Sequence, residues 1–298
     1  MTNVANRCGY AAIIGRPNVG KSTLLNRILG VKLAITSHKA QTTRHTILGV
    51  NSLARGQVVY VDTPGIHQRS DNEMNRYLNR TARTALVDVD LLIFVVDALR
   101  WTNEDEKVLK LLKESGTQAI AVVNKVDLMK QKEQLLPYLS ELSAKHDFLE
   151  IIPVSAKNGR NLPILEDLVL NALPEAENIY PEDQLTDRPE KFFASEMIRE
   201  QLTRRYAKEL PYAVSVEIER FEEQKGLYRI NAVIWVEKPG QKGIIIGKDG
   251  GALKEVATQA RKAMQVFFDC KVHLELWVKV KKSWSSDKAA LVRLGYGE

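Results

Sequence analysis

The chain has 298 residues, 44% of them hydrophobic, which is apolar material for about two domains with a core each. Its net charge is +6, and its longest apolar run, Leu91 to Val96, is far shorter than the ~18 residues that cross a bilayer, so a membrane-spanning helix is excluded. Cys8 and Cys270 stand apart without metal-ligand spacing, which excludes a disulfide framework or zinc site, and residues 1–9 lack the apolar stretch of a signal peptide, so a cytosolic protein is expected.

Tyr10 to Ile14 reads as a short strand, followed by GRPNVGKST at 15–23, which has the spacing GxxxxGK[ST]. Leu24, Leu25, Ile28 and Leu29 then recur at helical spacing before Gly30. Strand, glycine loop and helix start form a cradle in which backbone N–H groups surround phosphate at the positive end of a helix. Lys21 is placed to reach the β- and γ-phosphates, and the Ser22 hydroxyl to ligate Mg²⁺. Residues 31–46 follow where a mobile switch loop is expected. Four later segments, VVYVDTPG (58–65), LLIFVVDA (91–98), AIAVVNKVD (119–127) and IIPVSAK (151–157), each end an apolar run in polar residues. Such continuous runs suit parallel strands buried on both faces. Stretches long enough for crossover helices, Glu104 to Lys113 and Gln131 to Ala144, lie between them, predicting a doubly wound α/β sheet with its ligand beyond the strand ends.

A helix is predicted over Leu162 to Ala172, then a proline-rich, aperiodic linker, then a helix stopping before Pro211. AVSVEIERF and LYRINAVIWVE pair as strands, KGIIIGKDGG turns into a long helix, and Val272 to Val280 alternates as a last strand. Charge is uneven here: residues 182–237 hold 9 basic and 12 acidic side chains, whereas 238–282 hold 10 and 4. GxxG occurs twice, as GQKG at 240 and GKDG at 247, and only the second follows an apolar run and opens a helix. There Gly247 and Gly250 let backbone approach a nucleic-acid phosphate while Lys248 adds charge, with Asp249 completing the turn. Trp277 falls on the polar register of the last strand, where it can stack on a base or pack under a helix, the latter favoured.

In this order the motifs resemble the Era family, translation-factor-type P-loop GTPases with a C-terminal type II KH domain, and the resemblance covers essentially the whole chain. It implies a GTPase domain over 1–176 (a doubly wound α/β sheet), a linker over 177–190 and a smaller α+β type II KH domain over 191–298. The nucleotide-binding set it implies is Gly15, Arg16, Pro17, Asn18, Val19, Gly20, Lys21, Ser22 and Thr23 in the loop, Asp62, Thr63, Pro64 and Gly65 in DTPG, Asn124, Lys125, Val126 and Asp127 in NKVD, and Ser155, Ala156 and Lys157 in SAK. Asn124 and Asp127 would read guanine, the Ala156 N–H would meet its O6, and Mg²⁺ would be held by Ser22, Asp62 through water and Thr43, with Thr42 the alternative to Thr43.

Many GTPases orient the attacking water with a glutamine after DxxG, but this chain has Ile66, with Gln68 nearby and Arg44 a finger candidate. Relatives with an apolar residue there use a potassium ion held by the loop asparagine, here Asn18, which can equally serve to stabilise the loop. Lys21, Thr43 and Asn18 are thus the expected catalytic groups, in a slow timer turning over at about 10⁻⁴ to 10⁻² per second. The residues point to single-stranded RNA of about four nucleotides at the GxxG loop. The resemblance adds the 3′ end of 16S rRNA, maturation of the 30S subunit, weak peripheral association with the inner membrane and a monomer. Two rivals stand beside it: a signalling or cell-cycle GTPase on a membrane surface, and a P-loop kinase or transport ATPase, which NKVD disfavours.

Overall fold

The computed structural model describes residues 6–37, 42–65, 73–206 and 214–296. They divide into two compact units, one of residues 1–34, 43–69 and 78–187, the other of 35–42, 70–77 and 188–298. In chain order the first elements are β1 (Arg7–Ile14), α1 (Lys21–Leu29), β2 (Ile47–Leu53), β3 (Gly56–Asp62), α2 (Glu73–Thr84), β4 (Leu91–Asp97), α3 (Asn103–Ser115), β5 (Ala119–Asn124), α4 (Leu135–Ser143), β6 (Glu150–Pro153) and α5 (Leu162–Ala172).

The first unit is built on a six-stranded sheet of order β2-β3-β1-β4-β5-β6. The strands read as continuous apolar runs are parallel, and β3 and β4 are buried along their whole length. β2 alone runs antiparallel, as a hairpin on β3. From β1 the chain crosses to β3 on one side and then to β4 on the other, so the point where the winding reverses lies at the carboxyl end of β1, where the glycine loop begins. Phe94 of β4 anchors the core, its ring stacked with Phe148 and edge-on to Trp101 at 6.1 Å each. Truncating so large a buried ring costs about 3–5 kcal/mol.

The stretch expected as a linker is held to this unit as far as Asp187. Gln57, fully buried on β3, donates to the Tyr180 carbonyl at 2.8 Å and accepts the N–H groups of Ile179 and Tyr180 at 3.0 and 2.9 Å. Val50 on the edge strand β2 donates to the Leu185 carbonyl, which covers a sheet edge that would otherwise expose unpaired backbone. Proline content identified the irregular backbone; the side chain that binds it lies over a hundred residues earlier.

The second unit contains α6 (Glu190–Arg205), β7 (Val214–Gln224), β8 (Leu227–Val236), α7 (Pro239–Ile246), α8 (Gly251–Phe267), β9 (Lys271–Val280) and α9 (Lys288–Arg293). Its sheet has the order β7-β8-β9, with β7 antiparallel and β9 parallel to β8. Phe193, Ile230, Ile234, Ile245, Val256 and Met264 are buried in its core. The run before GKDG, read from sequence as the turn into a long helix, is itself the helix α7: Pro239 stands in its first turn and Gln241 Oε1 accepts the N–H groups of Glu237 and Lys238 at 2.9 Å.

Candidate nucleotide and RNA sites

Residues 15–20 join β1 to α1, and Gly20 has φ 105°. A β-carbon there would collide with the Asn124 amide nitrogen, so the close approach of loop and β5 requires glycine. The Lys21 ammonium is buried and donates to the carbonyls of Gly15 at 2.9 Å and Arg16 at 3.2 Å. Burial pulls its pKa down to about 8, against the opposing pull of Asp62.

Ser22, Thr43 and Asp62 converge although they come from three parts of the chain. Ser22 Oγ lies 2.8 Å from both Asp62 Oδ2 and Thr43 Oγ1. Asp62 is fully buried, which pushes its carboxyl up to about 6, with the Lys21 charge and the two hydroxyls opposing. Its Oδ1 has no hydrogen-bond partner among the described residues. An orphaned carboxylate oxygen beside two hydroxyls is an all-oxygen donor set that fits Mg²⁺. Among the described residues no group of three His, Cys, Asp or Glu side chains gathers elsewhere to hold a metal.

Within DTPG, the Thr63 hydroxyl donates to the Ile13 carbonyl at 2.9 Å, tying β3 to β1, and Gly65 lies against Pro17 of the loop. Ile66 and Gln68 fall outside the described residues.

At the other side, Asn124 ends β5 with its amide engaged at both ends: Nδ2 donates to Val19 O at 2.8 Å and Oδ1 accepts the Ala156 N–H at 3.0 Å. The residue expected to read the base thus braces the loops around it, and the N–H expected on guanine O6 donates to that brace. Asp127 is exposed, with one carboxylate oxygen fixed by the Ser155 hydroxyl at 2.6 Å. Lys125, at φ 68°, reaches Asn18 O at 2.6 Å and Asp97 Oδ2 at 2.8 Å. Asn18 itself, at φ 65°, exposes its side chain on the crest of the loop, as does Lys157 in SAK. The Arg16 guanidinium turns inward to Asp105 at 2.9 Å, and it is the loop backbone that was expected to meet phosphate.

Sequence reading passed over Asp97 and Asp105. The spacing T-x-x-D at 102–105, a helix-capping signature, was the available signal for the second.

In the second unit, Gly247 has φ 72° and ψ −179°, a conformation that is almost confined to glycine, and a β-carbon there would lie 2.6 Å from Ala252 Cβ. Lys248 and Asp249 are exposed, Gly250 caps α8, and Lys242, Lys254, Arg261 and Lys262 are exposed nearby in sequence. Ile244 and Trp277 are 42% and 43% exposed, so packing under a helix does not account for Trp277.

A P-loop nucleotide site on a doubly wound sheet, followed by an α-β-β-α-α-β unit with an exposed GxxG turn, defines a GTPase joined to an RNA-binding KH domain. The family model "50S ribosome-binding GTPase" matches residues 10–125 and a KH domain model matches 209–285. GTPase Era of Pseudomonas aeruginosa is 53% identical over 293 residues, covering 98% of this chain and 96% of that one, and GTPase Era of Glaesserella parasuis is 53% identical over 297 residues, 99% of each. A single-residue variant of Aquifex aeolicus Era bound to GDP·AlF₄⁻ superposes with a TM-score of 0.93 at 37% identity, over 98% of this chain and 100% of that. Era in complex with MgGDPNP and nucleotides 1506–1542 of 16S ribosomal RNA superposes at 0.95 and 36%, with the same coverage.

The chain belongs to the Era family of GTPases. It is a GTP-binding, GTP-hydrolysing and RNA-binding protein.

Proposed function

We propose that this GTPase binds the 3′-end region of 16S rRNA through its KH unit and acts in assembly of the 30S subunit, slowly hydrolysing GTP as a timer. The observation that carries the reading is the exposed GKDG turn at the head of α8 inside the strongly basic stretch 238–282. Bare backbone at Gly247 and Gly250 suits phosphate, and Lys248 supplies charge, the mode by which KH units clamp about four nucleotides. A relative at 36% identity is solved with a 16S rRNA fragment, which supports the same target here.

On this reading the loop residues Gly15 to Thr23, with DTPG, NKVD and SAK, hold the nucleotide, and Asp127 selects guanine over adenine. Mg²⁺, held by Ser22, Thr43 and Asp62, neutralises phosphate charge when bound. Asn18, with its side chain exposed and its carbonyl taken by Lys125, suits a potassium ligand. The protein works as a cytoplasmic monomer; among the described residues no helix is long and apolar enough to cross a membrane.

Filter binding of a 16S 3′-end oligonucleotide against a scrambled one, with a GTP analogue and with GDP, tests the target. Tight, salt-sensitive retention of the first is expected, and equal retention of both removes the rRNA assignment. Flotation with anionic vesicles decides whether the basic segment meets lipid instead. Turnover in KCl against NaCl at equal ionic strength tests the potassium ligand, equal rates removing it.

A further inference from the structure

Arg16 sits in the phosphate loop by sequence, yet its side chain is only 3% exposed and belongs to a buried ionic network. Its Nε donates to Asp105 Oδ2 at 2.9 Å, and a terminal nitrogen lies 3.7 Å from Asp97 Oδ2. Asp105 is fully buried at the third position of α3, where the same Oδ2 accepts the Thr102 N–H at 2.8 Å and hydroxyl at 2.7 Å. Asp97 ends β4: its Oδ2 takes the Lys125 ammonium at 2.8 Å and its Oδ1 the Leu99 N–H at 3.0 Å. Lys125 closes the ring by donating to the Asn18 carbonyl at 2.6 Å. Two loop residues, the head of α3, the end of β4 and the base-recognition loop are thereby tied through two cations and two carboxylates.

Stability alone is a weak reason for such an arrangement. Desolvating Arg16, Asp97 and Asp105 costs several kcal/mol per ion, and well-packed apolar residues in place of a buried pair are often as stable or more so. What an ionic ring supplies is fixed geometry. Lys125 emerges from a left-handed backbone position, and its ammonium is aimed by Asp97 from one side and Asn18 O from the other.

We propose that Asp97 is a positioning residue for guanine-nucleotide binding, acting through Lys125, and that Asp105 acts through Arg16 to hold the phosphate loop in the shape that lets Lys125 reach it. This rests on the reading that Lys125 serves the base-recognition loop. Both carboxylates are buried against protein donors, so both tune affinity from behind the site.

The test uses the full chain and fluorescent GDP, with KM, kcat and melting temperature measured alongside. Asp97→Ala should weaken GDP and raise KM about 10- to 100-fold, the worth of a hydrogen bond to a charged group, with kcat at saturation within about twofold. Isosteric Asp97→Asn, which keeps an acceptor for Lys125 and the fold, should lose less. In a Lys125→Ala background, Asp97→Ala should have no further effect on affinity, whereas purely structural damage would add. Additive losses, or a folded Asp97→Ala protein that binds GDP like the wild type, would overturn the proposal. A Lys125→Ala protein with unchanged affinity would sink the base-loop reading as well, which separates the two failures.

Discussion

Asn124 and Val19, 105 residues apart in sequence, are joined by a 2.8 Å hydrogen bond from the Asn124 amide to the Val19 carbonyl, and the same side chain takes the Ala156 N–H. One buried amide therefore holds the phosphate loop against the SAK loop. Asn124→Ala leaves a buried carbonyl and a buried N–H unpaired, at about 1–3 kcal/mol each. Loss of about 2–6 kcal/mol in urea unfolding is expected, with weaker binding of GTP and ATP alike, because the brace carries no base specificity. A variant that keeps full stability and loses only guanine preference would show that Asn124 reads the base directly.

Base choice is expected at Asp127, whose exposed carboxylate has one oxygen fixed by Ser155. A carboxylate accepts from guanine N1–H and the 2-amino group; an amide can donate to the 2-oxo group of xanthine instead. Asp127→Asn should lose GTP affinity by about 10- to 100-fold, as for a hydrogen bond to a charged group, and gain affinity for XTP. Competition between the two nucleotides measures it, and unchanged GTP affinity counts against the assignment.

Asp62 predicts a pH dependence of stability whose sign differs from that of a salt-bridged aspartate. Burial raises its carboxyl from 3.8 in an ordinary setting to about 6 in the folded protein, which therefore binds the extra proton in between. Its contribution to stability is fully present below about pH 4 and is lost as the pH rises through about 6, a swing of about 3 kcal/mol at 1.36 kcal/mol per unit. Urea unfolding in EDTA should show the stability of Asp62→Asn relative to wild type rising with pH across that window. A difference that stays flat would mean the carboxylate is not held at high pKa.

Gly247 adopts a backbone conformation that costs other residues about 1–3 kcal/mol, and any β-carbon meets Ala252. Gly247→Ala should lower stability by that amount. Gly247→Asp should in addition abolish RNA retention through bulk and negative charge, while leaving GTP binding at the wild-type level. Intact RNA affinity in a folded Gly247→Asp protein would move the binding groove elsewhere.

Local chemistry made much of this legible. The glycine loop, the helix Leu162–Ala172, the fully buried runs of β3 and β4, and the alternation in β9 follow from steric freedom and from periods of 3.6 and 2, which neighbouring residues carry by themselves. The helix α7 was harder, since glycines at 240 and 243 and the apolar run that follows carry no helical period, and its start depends on Gln241 folding back on Glu237 and Lys238. The inward turn of Arg16 had no local signal at all, because its partner Asp105 lies 89 residues further along the chain, on α3.

The order of apolar runs and glycine turns by itself determined an α/β unit followed by an α+β unit, a phosphate cradle in the first and a GxxG turn in the second. Folding decided which side chains those frames spend on ligand and which on one another. Gln57 binds residues 179–180, Asn124 braces two loops, and Arg16 reaches Asp105 across 89 residues of chain while Lys125 takes Asp97. Such partners meet only when parallel strands distant in sequence end side by side, and a buried polar atom must then find its partner there, since no water is at hand to serve instead.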